Sequence, residues 1–365
     1  MAINKRFFKS LPIISLMGIS LSLCLVSSLR NNNVNKANAA ININDYSKCD
    51  EAFNNKTAQD LLNELRTITS PGQAGSYNQL WNTYKTAYVK NNKIFDYYSS
   101  SSSFSPGGNQ CGSYSGEGSC YNREHSIPQS WWGGGTGTGT QGADPFIVVP
   151  TDGYVNNKRG NHPMGVVASA TYTSNGGFSK LGSSASTYGF SGTVFEPNDS
   201  VKGDFARIHF YAIAKYANSY SWTSGGSSTF SGSASKHFGL TEYAIKLFSA
   251  WSSLDPVDEW EASVNNKLAN IQGNRNPFID HPNYADKLWG DVEGYTQYGD
   301  KPAPTPGGDS SSSTSQPGGG SGEKEYEYVL TPWGLGLIIG GSVLALAIIV
   351  TVVVIIVIRK KKKAK

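Results

Sequence analysis

The chain has 365 residues, 38% of them hydrophobic and 16% charged, with a formal net charge of +4. The ends set that charge: of 31 Lys and Arg residues, five lie in Met1–Ala39 and six in Arg359–Lys365, leaving 20 against all 27 acidic residues, a balance of −7. Gripping nucleic acid by bulk charge alone is thereby disfavoured; phosphate would have to be held by metal ions and a few placed cations.

Residues 1–39 are expected to form a signal peptide. Lys5, Arg6 and Lys9 precede an apolar run from Leu11 to Leu29, and Ala37-Asn38-Ala39 supplies the small-x-small pattern of a cleavage site. Cleavage removes Cys24 and leaves Cys49, Cys111 and Cys120. In an oxidising compartment three thiols suggest one disulfide and one odd residue. Cys111 and Cys120 close a short Gly/Ser-rich loop and are the candidate pair, although spacing alone also lets Cys49 join either.

The stretch 40–300 suffices for one sizeable domain or two small ones and is taken as one. Leu61, Leu62, Leu65 and Ile68 recur at helical spacing, as do Leu80, Trp81, Tyr84 and Tyr88, with Pro71-Gly72 between the two segments. Ser99 to Gly118 reads as loop, and Gly133 to Gly142 as a low-complexity insert. Phe146 to Val149 suits a buried strand stopped by Pro150, and Asp152 then offers a helix cap. Strand and loop are expected from Ser169 to Ser191, and helices over Asp204–Tyr216, Thr241–Ser249 and Asp255–Asn270.

Residues 301–330 form a Pro/Gly/Ser-rich linker, too poor in apolar surface to fold. Residues 331–358 predict a transmembrane helix, since Leu335 to Ile358 is a run of 24 residues without a charge. Trp333 stands where an interfacial aromatic belongs, and the basic tail 359–365 marks the cytoplasmic side. The expected arrangement is a single-pass membrane protein with its domain outside the cytoplasm; an uncleaved pair of anchors is the competing topology.

Five histidines are present, and His125 follows Glu124 directly. Neighbours in a strand face opposite ways, but at a strand end both can reach one small space. Asp152, Asn156 and Asn161 follow, and a helix beginning near Asp152 puts Asp152 and Asn156 on one face. Glu124 with the Asn156 amide oxygen makes a sparse oxygen site suited to a hard cation such as Mg2+, and a neutral His125 beside it can deprotonate water. A zinc protease is disfavoured because no His-Glu-x-x-His occurs, and a serine hydrolase because there is no Gly-x-Ser-x-Gly.

The block Asn122-Arg123-Glu124-His125-Ser126-Ile127-Pro128-Gln129-Ser130-Trp131 resembles the signature of the endonuclease I family of secreted bacterial nucleases. Asp144, Pro150 to Asn161 and Pro163-Met164-Gly165 are similar to its second block, Val194 to Pro197 with Lys202 to Arg207 to its third, and Gln272 to Pro282 to its fourth. The resemblance implies an α+β fold, a mostly helical domain around a ββα-metal (His-Me finger) core. It further implies His125 as general base, Glu124 and Asn156 as ligands of Mg2+ (Mn2+ or Ca2+ being alternatives), and Asn161 and Asp152 in support. Arg159 and Arg275 become candidates for phosphate or transition-state contacts, Arg275 equally for pinning its own segment. Asp204 and Arg207 are expected to form a structural pair, and Trp131 and Trp132 to lie in the core rather than against substrate. Non-specific hydrolysis of DNA and RNA to 5′-phosphate ends is the implied activity; a catalytically silent surface module that binds nucleic acid or a host ligand is the alternative. The chain departs from the family after Asp144, where Pro145, Phe146 and Ile147 replace the usual histidines, and in the glycine-rich insert. Neither departure is expected to touch Glu124, His125 or Asn156.

Overall fold

The computed structural model describes residues 41–217, 222–231, 236–299 and 301. The chain divides into two units, Met1–Gly308 and Asp309–Lys365. The expected signal peptide, transmembrane segment, basic tail and all of the linker except Lys301 lie outside the described residues. Among the described residues no helix is long and apolar enough to cross a membrane.

Two helices open the domain, α1 (Ser47–Asn55) and α2 (Ala58–Thr69). Thr57 starts α2 by accepting from the Asp60 amide while Asp60 accepts from the Thr57 amide, so two amides that helix geometry leaves bare are satisfied. Its buried residues are those of the sequence pattern, Leu61, Leu62, Leu65 and Ile68, with Thr69. Helix α3 (Leu80–Ala87) and a small hairpin, β1 (Val89–Lys90) with β2 (Lys93–Ile94), follow.

The central unit is an antiparallel hairpin of β3 (Tyr121–His125) and β4 (Val148–Asp152) that runs directly into α4 (Gly153–Arg159). Strand β4 continues through Pro150, where the sequence predicted a stop. A two-stranded sheet has only edges, so a residue without an N–H costs it no ladder bond; Pro150 faces Arg123 and its carbonyl accepts from the Tyr97 amide at 3.3 Å. Beyond lies a three-stranded antiparallel sheet, β5 (Val167–Thr173), β6 (Lys180–Ser184) and β7 (Thr193–Glu196), in the order β5-β6-β7.

Helix α5 (Lys202–Tyr216) runs through the core. Apart from Lys215 all of its residues are buried, so the helix is enclosed around its whole circumference. Its buried charges are paired: Arg207 meets Glu261 at 2.6 Å and Asp204 at 3.4 Å, as the expected structural pair requires. Helix α6 (Glu242–Leu254) extends five residues past the predicted end, and α7 (Glu259–Gln272) starts after Pro256, capped by Asp258 rather than at Asp255. Two short helices close the domain, α8 (Pro277–Asp280) and α9 (Tyr284–Trp289). The observed class is α+β. Cys111 and Cys120 form the disulfide, and Cys49 is a buried free thiol whose pKa burial pushes up to about 12.

Candidate active site

Helix α4 is anchored at its first turn. Asp152 caps it, its Oδ1 accepting from the amides of Tyr154 (2.9 Å) and Val155 (3.0 Å), while Oδ2 accepts from the Gly118 amide at 2.7 Å. The disulfide packs beneath the same turn: a Cβ at Gly153 would strike Cys111 Sγ, and the Gly153 amide donates to the Cys120 carbonyl at 2.9 Å. Only glycine admits that approach.

Behind the cap lies Asp96, 8% exposed. Its Oδ1 accepts from the amides of Tyr98, Ser99 and Asp152, and its Oδ2 is buried without a hydrogen-bond partner. Burial raises this carboxyl to about 7, against the pull of Ser102 and the backbone amides. Between the unfolded value near 3.8 and 7 the folded chain holds a proton that the unfolded chain has released, so the stabilisation is complete below 3.8 and fades as pH rises toward 7. Asp96→Asn keeps Oδ1 and is permanently neutral. Its melting temperature, followed by circular dichroism from pH 4 to 8, should gain on wild type as pH rises, corresponding to as much as about 1.4 kcal/mol per pH unit. A constant offset between the two curves would assign the pH response elsewhere.

Glu124 and Arg159 face each other across the hairpin and helix. Arg159 Nη1 donates to Glu124 Oε1 and to the His125 carbonyl (2.9 Å), Nη2 to the Ser126 carbonyl (2.8 Å) and Nε to the His162 carbonyl (3.3 Å). Arg159 is 1% exposed, so its charge depends on these partners. Burial opposes the guanidinium's charge, but Tyr98 and Glu124 outweigh it and raise its pKa. Tyr98 donates its hydroxyl to the same Glu124 Oε1 at 2.8 Å. Burial raises the Glu124 carboxyl, with Arg159 and Tyr98 pulling the other way. Both donors take Oε1; Oε2 accepts no hydrogen bond among the described residues and is not a buried orphan, so it keeps an open direction.

His125 ends β3 and leaves the strand on the other face. Its ring stacks on Tyr77 (centroids 5.6 Å, 15°) and touches Trp132 (6.0 Å). Nε2 lies 3.0 Å from the Gly142 carbonyl. A carbonyl only accepts, so Nε2 carries the proton and the Nδ1 lone pair is the free base. Burial lowers the pKa to about 4, which keeps the ring neutral at pH 7. This corrects the expectation that the glycine-rich insert leaves His125 untouched, since the insert's last residue fixes the tautomer. A Cβ at Gly142 would drive into the Gly135 carbonyl, so that position has room for glycine alone.

Asn156 stands one turn before Arg159 on the same face of α4. Its side chain makes no hydrogen bond among the described residues, and neither does that of the exposed Asn161. Arg275 is placed apart from the group around Glu124: its Nε and Nη2 grip Asp280 at 2.6 Å each, and Tyr46 also donates to Asp280. Trp131 and Trp132 are in the core, as expected. Asp144 ties that core together, its Oδ2 accepting from Tyr211, Tyr216 and Gln272. Phe146 and Ile147, where histidines were missed, are core residues too. Tyr77, Tyr98 and Gly142 were not found from sequence, because each reaches the site from a distant segment that carries no local motif.

The structure thus brings together a hairpin leading into a short helix, a neutral histidine at the strand end and a carboxylate oxygen without a hydrogen-bond partner among the described residues. The sequence profile of Endonuclease I matches residues 57–283. The chain belongs to this family and is a nuclease. It is 33% identical to an extracellular ribonuclease of Bacillus subtilis (strain 168) over 66% of this chain and 77% of that protein. A second extracellular ribonuclease, from Bacillus amyloliquefaciens, is 34% identical over 64% of this chain and 75% of its own. An extracellular deoxyribonuclease of Aeromonas hydrophila is 31% identical over 24% of this chain and 30% of its own.

Proposed function

We propose that the chain is an extracytoplasmic, membrane-tethered endonuclease that hydrolyses RNA and DNA without strict sequence preference and leaves 5′-phosphate ends. The observation that carries the chemistry is His125: neutral, with Nε2 held by the Gly142 carbonyl and Nδ1 free to take a proton from water. Glu124 Oε2 and the unengaged Asn156 amide oxygen fit a hard divalent cation, because both are oxygen donors and neither has another partner among the described residues. Bound there, Mg2+ supplies charge stabilisation at the scissile phosphate and the leaving oxygen. Arg159 holds Glu124 Oε1, so it acts by positioning the carboxylate and its strand end rather than by reaching substrate. Arg275 is assigned to pinning the segment before α8. Asp152 supports the start of α4 as its cap, while Asn161 keeps only the supporting role that the family block implies.

The names of the relatives cover both ribonuclease and deoxyribonuclease, which supports action on both substrates. The tether follows from the uncharged run Leu335 to Ile358 and the basic tail, and extracellular relatives support export of the domain. Purified chain should degrade plasmid and RNA with Mg2+ and stop when EDTA is added in excess. Retention of full activity in EDTA would remove the metal from this proposal. Binding of both nucleic acids without cleavage, by a folded and metal-loaded sample, would favour the silent binding module.

A further inference from the structure

A cavity of about 330 Å3 is lined in part by residues adjacent in sequence to those that touch His125. It shares two segments with the site around that histidine. Ser76 and Gln79 flank Tyr77, whose ring stacks on the histidine; Ala143 follows Gly142, whose carbonyl holds Nε2. The insert closes the seam between these segments, the Gly139 amide donating to the Ala74 carbonyl at 2.7 Å.

The lining has one consistent chemistry: amides, hydroxyls and apolar surface, with no charged side chain. Gln73 is exposed and its side chain has no hydrogen bond among the described residues. Gln272 is more constrained. Its Nε2 donates to Asp144 Oδ2 (3.0 Å) and Asn274 Oδ1 (2.9 Å), which fixes the amide, and its Oε1 is left buried without a partner. Ile271, 48% exposed, adds a flat apolar edge. A phosphate would find no cation among these groups. A planar, neutral ligand with hydrogen-bonding edges fits them, and so does its size, since pockets that enclose small ligands start near 300 Å3.

We propose that this cavity is a nucleobase subsite: it takes an unstacked base from a nucleotide neighbouring the one being cut. A base inside a duplex is stacked and paired, whereas a single strand can splay one out, so the subsite favours single-stranded substrate. The inference rests on the nuclease reading, because the ligand class comes from the segments shared with the site around His125.

The test separates binding of a base from catalysis. In EDTA, single-stranded RNA oligonucleotide and an abasic oligonucleotide of equal length and charge are titrated against wild type, Thr86→Trp and Gln73→Ala. Thr86 is exposed at the cavity rim, so a tryptophan there occupies the cavity without entering the core. Wild type should prefer the base-bearing strand by about tenfold, the scale of one base contact. Thr86→Trp should erase that preference, with Gln73→Ala intermediate. With Mg2+, Thr86→Trp should raise KM for the single strand about tenfold and leave turnover of bis(4-nitrophenyl) phosphate, which has no base, unchanged. Equal affinity of wild type for both strands, or an undiminished preference in Thr86→Trp, overturns the subsite. Loss of the nuclease reading would show separately, as failure of wild type to cut any diester.

Discussion

His125→Ala should lower the rate of phosphodiester hydrolysis by about two to four orders of magnitude, the usual weight of a positioned general base. The reason lies in the proton's place. The Gly142 carbonyl commits Nε2, burial keeps the ring neutral, and Nδ1 is the atom left with a lone pair. Alanine removes the base and leaves Glu124 with both its donors, Tyr98 and Arg159. Oligonucleotide affinity measured in EDTA should therefore change little while kcat collapses. Free imidazole should restore part of the lost rate, because the stack between Tyr77 and Trp132 leaves a ring-shaped gap. An unchanged kcat would show that another group takes the proton.

Arg159→Met should be the most damaging substitution for the fold of the site. The guanidinium is 1% exposed and donates to a carboxylate and three backbone carbonyls. Methionine keeps much of the bulk but none of the donors. It leaves Glu124 as a buried charge with only the Tyr98 hydroxyl, and removal of one partner of such a pair costs about 3–5 kcal/mol. The loss should appear as a lower midpoint in urea with an unchanged slope, which marks altered stability rather than altered unfolding. The double variant Arg159→Met/Glu124→Gln should recover part of it, because the orphaned charge is gone. A single variant as stable as wild type would show that Glu124 carries no uncompensated buried charge once Arg159 is gone.

Much of this site is legible in the chain itself. Glu124, His125 and Asn156 are singled out by the family resemblance rather than by residue type, since a Glu-His pair or an Asn-rich turn is more often structural; the cap at Asp152 is a local signal. Helices α2 and α3 are readable because each buries one stripe. Other features depend on encounters that no local pattern records. Tyr98 meets Glu124 across 26 positions of sequence, and Gly142 meets His125 across 17. Strand β4 passes through Pro150 because its partner is the hairpin's other strand alone, a circumstance set by topology. Helix α5 is buried on every side because later helices enclose it, so its periodicity understates its burial. Arg275 shows the converse: its motif leaves phosphate contact and pinning of its own segment equally open, and the bonds of its Nε and Nη2 to Asp280, five residues on, favour pinning.

The Cys111–Cys120 bridge gives the site a dependence on electrons as well as protons. It lies under the first turn of α4, against Gly153, and that helix carries Asn156 and Arg159. Closing so short a loop is worth a few kcal/mol, most of it by restricting the unfolded chain. With the bridge reduced that contribution is absent, and the folded domain as a whole is less stable by about that amount. Oxidation on export restores it.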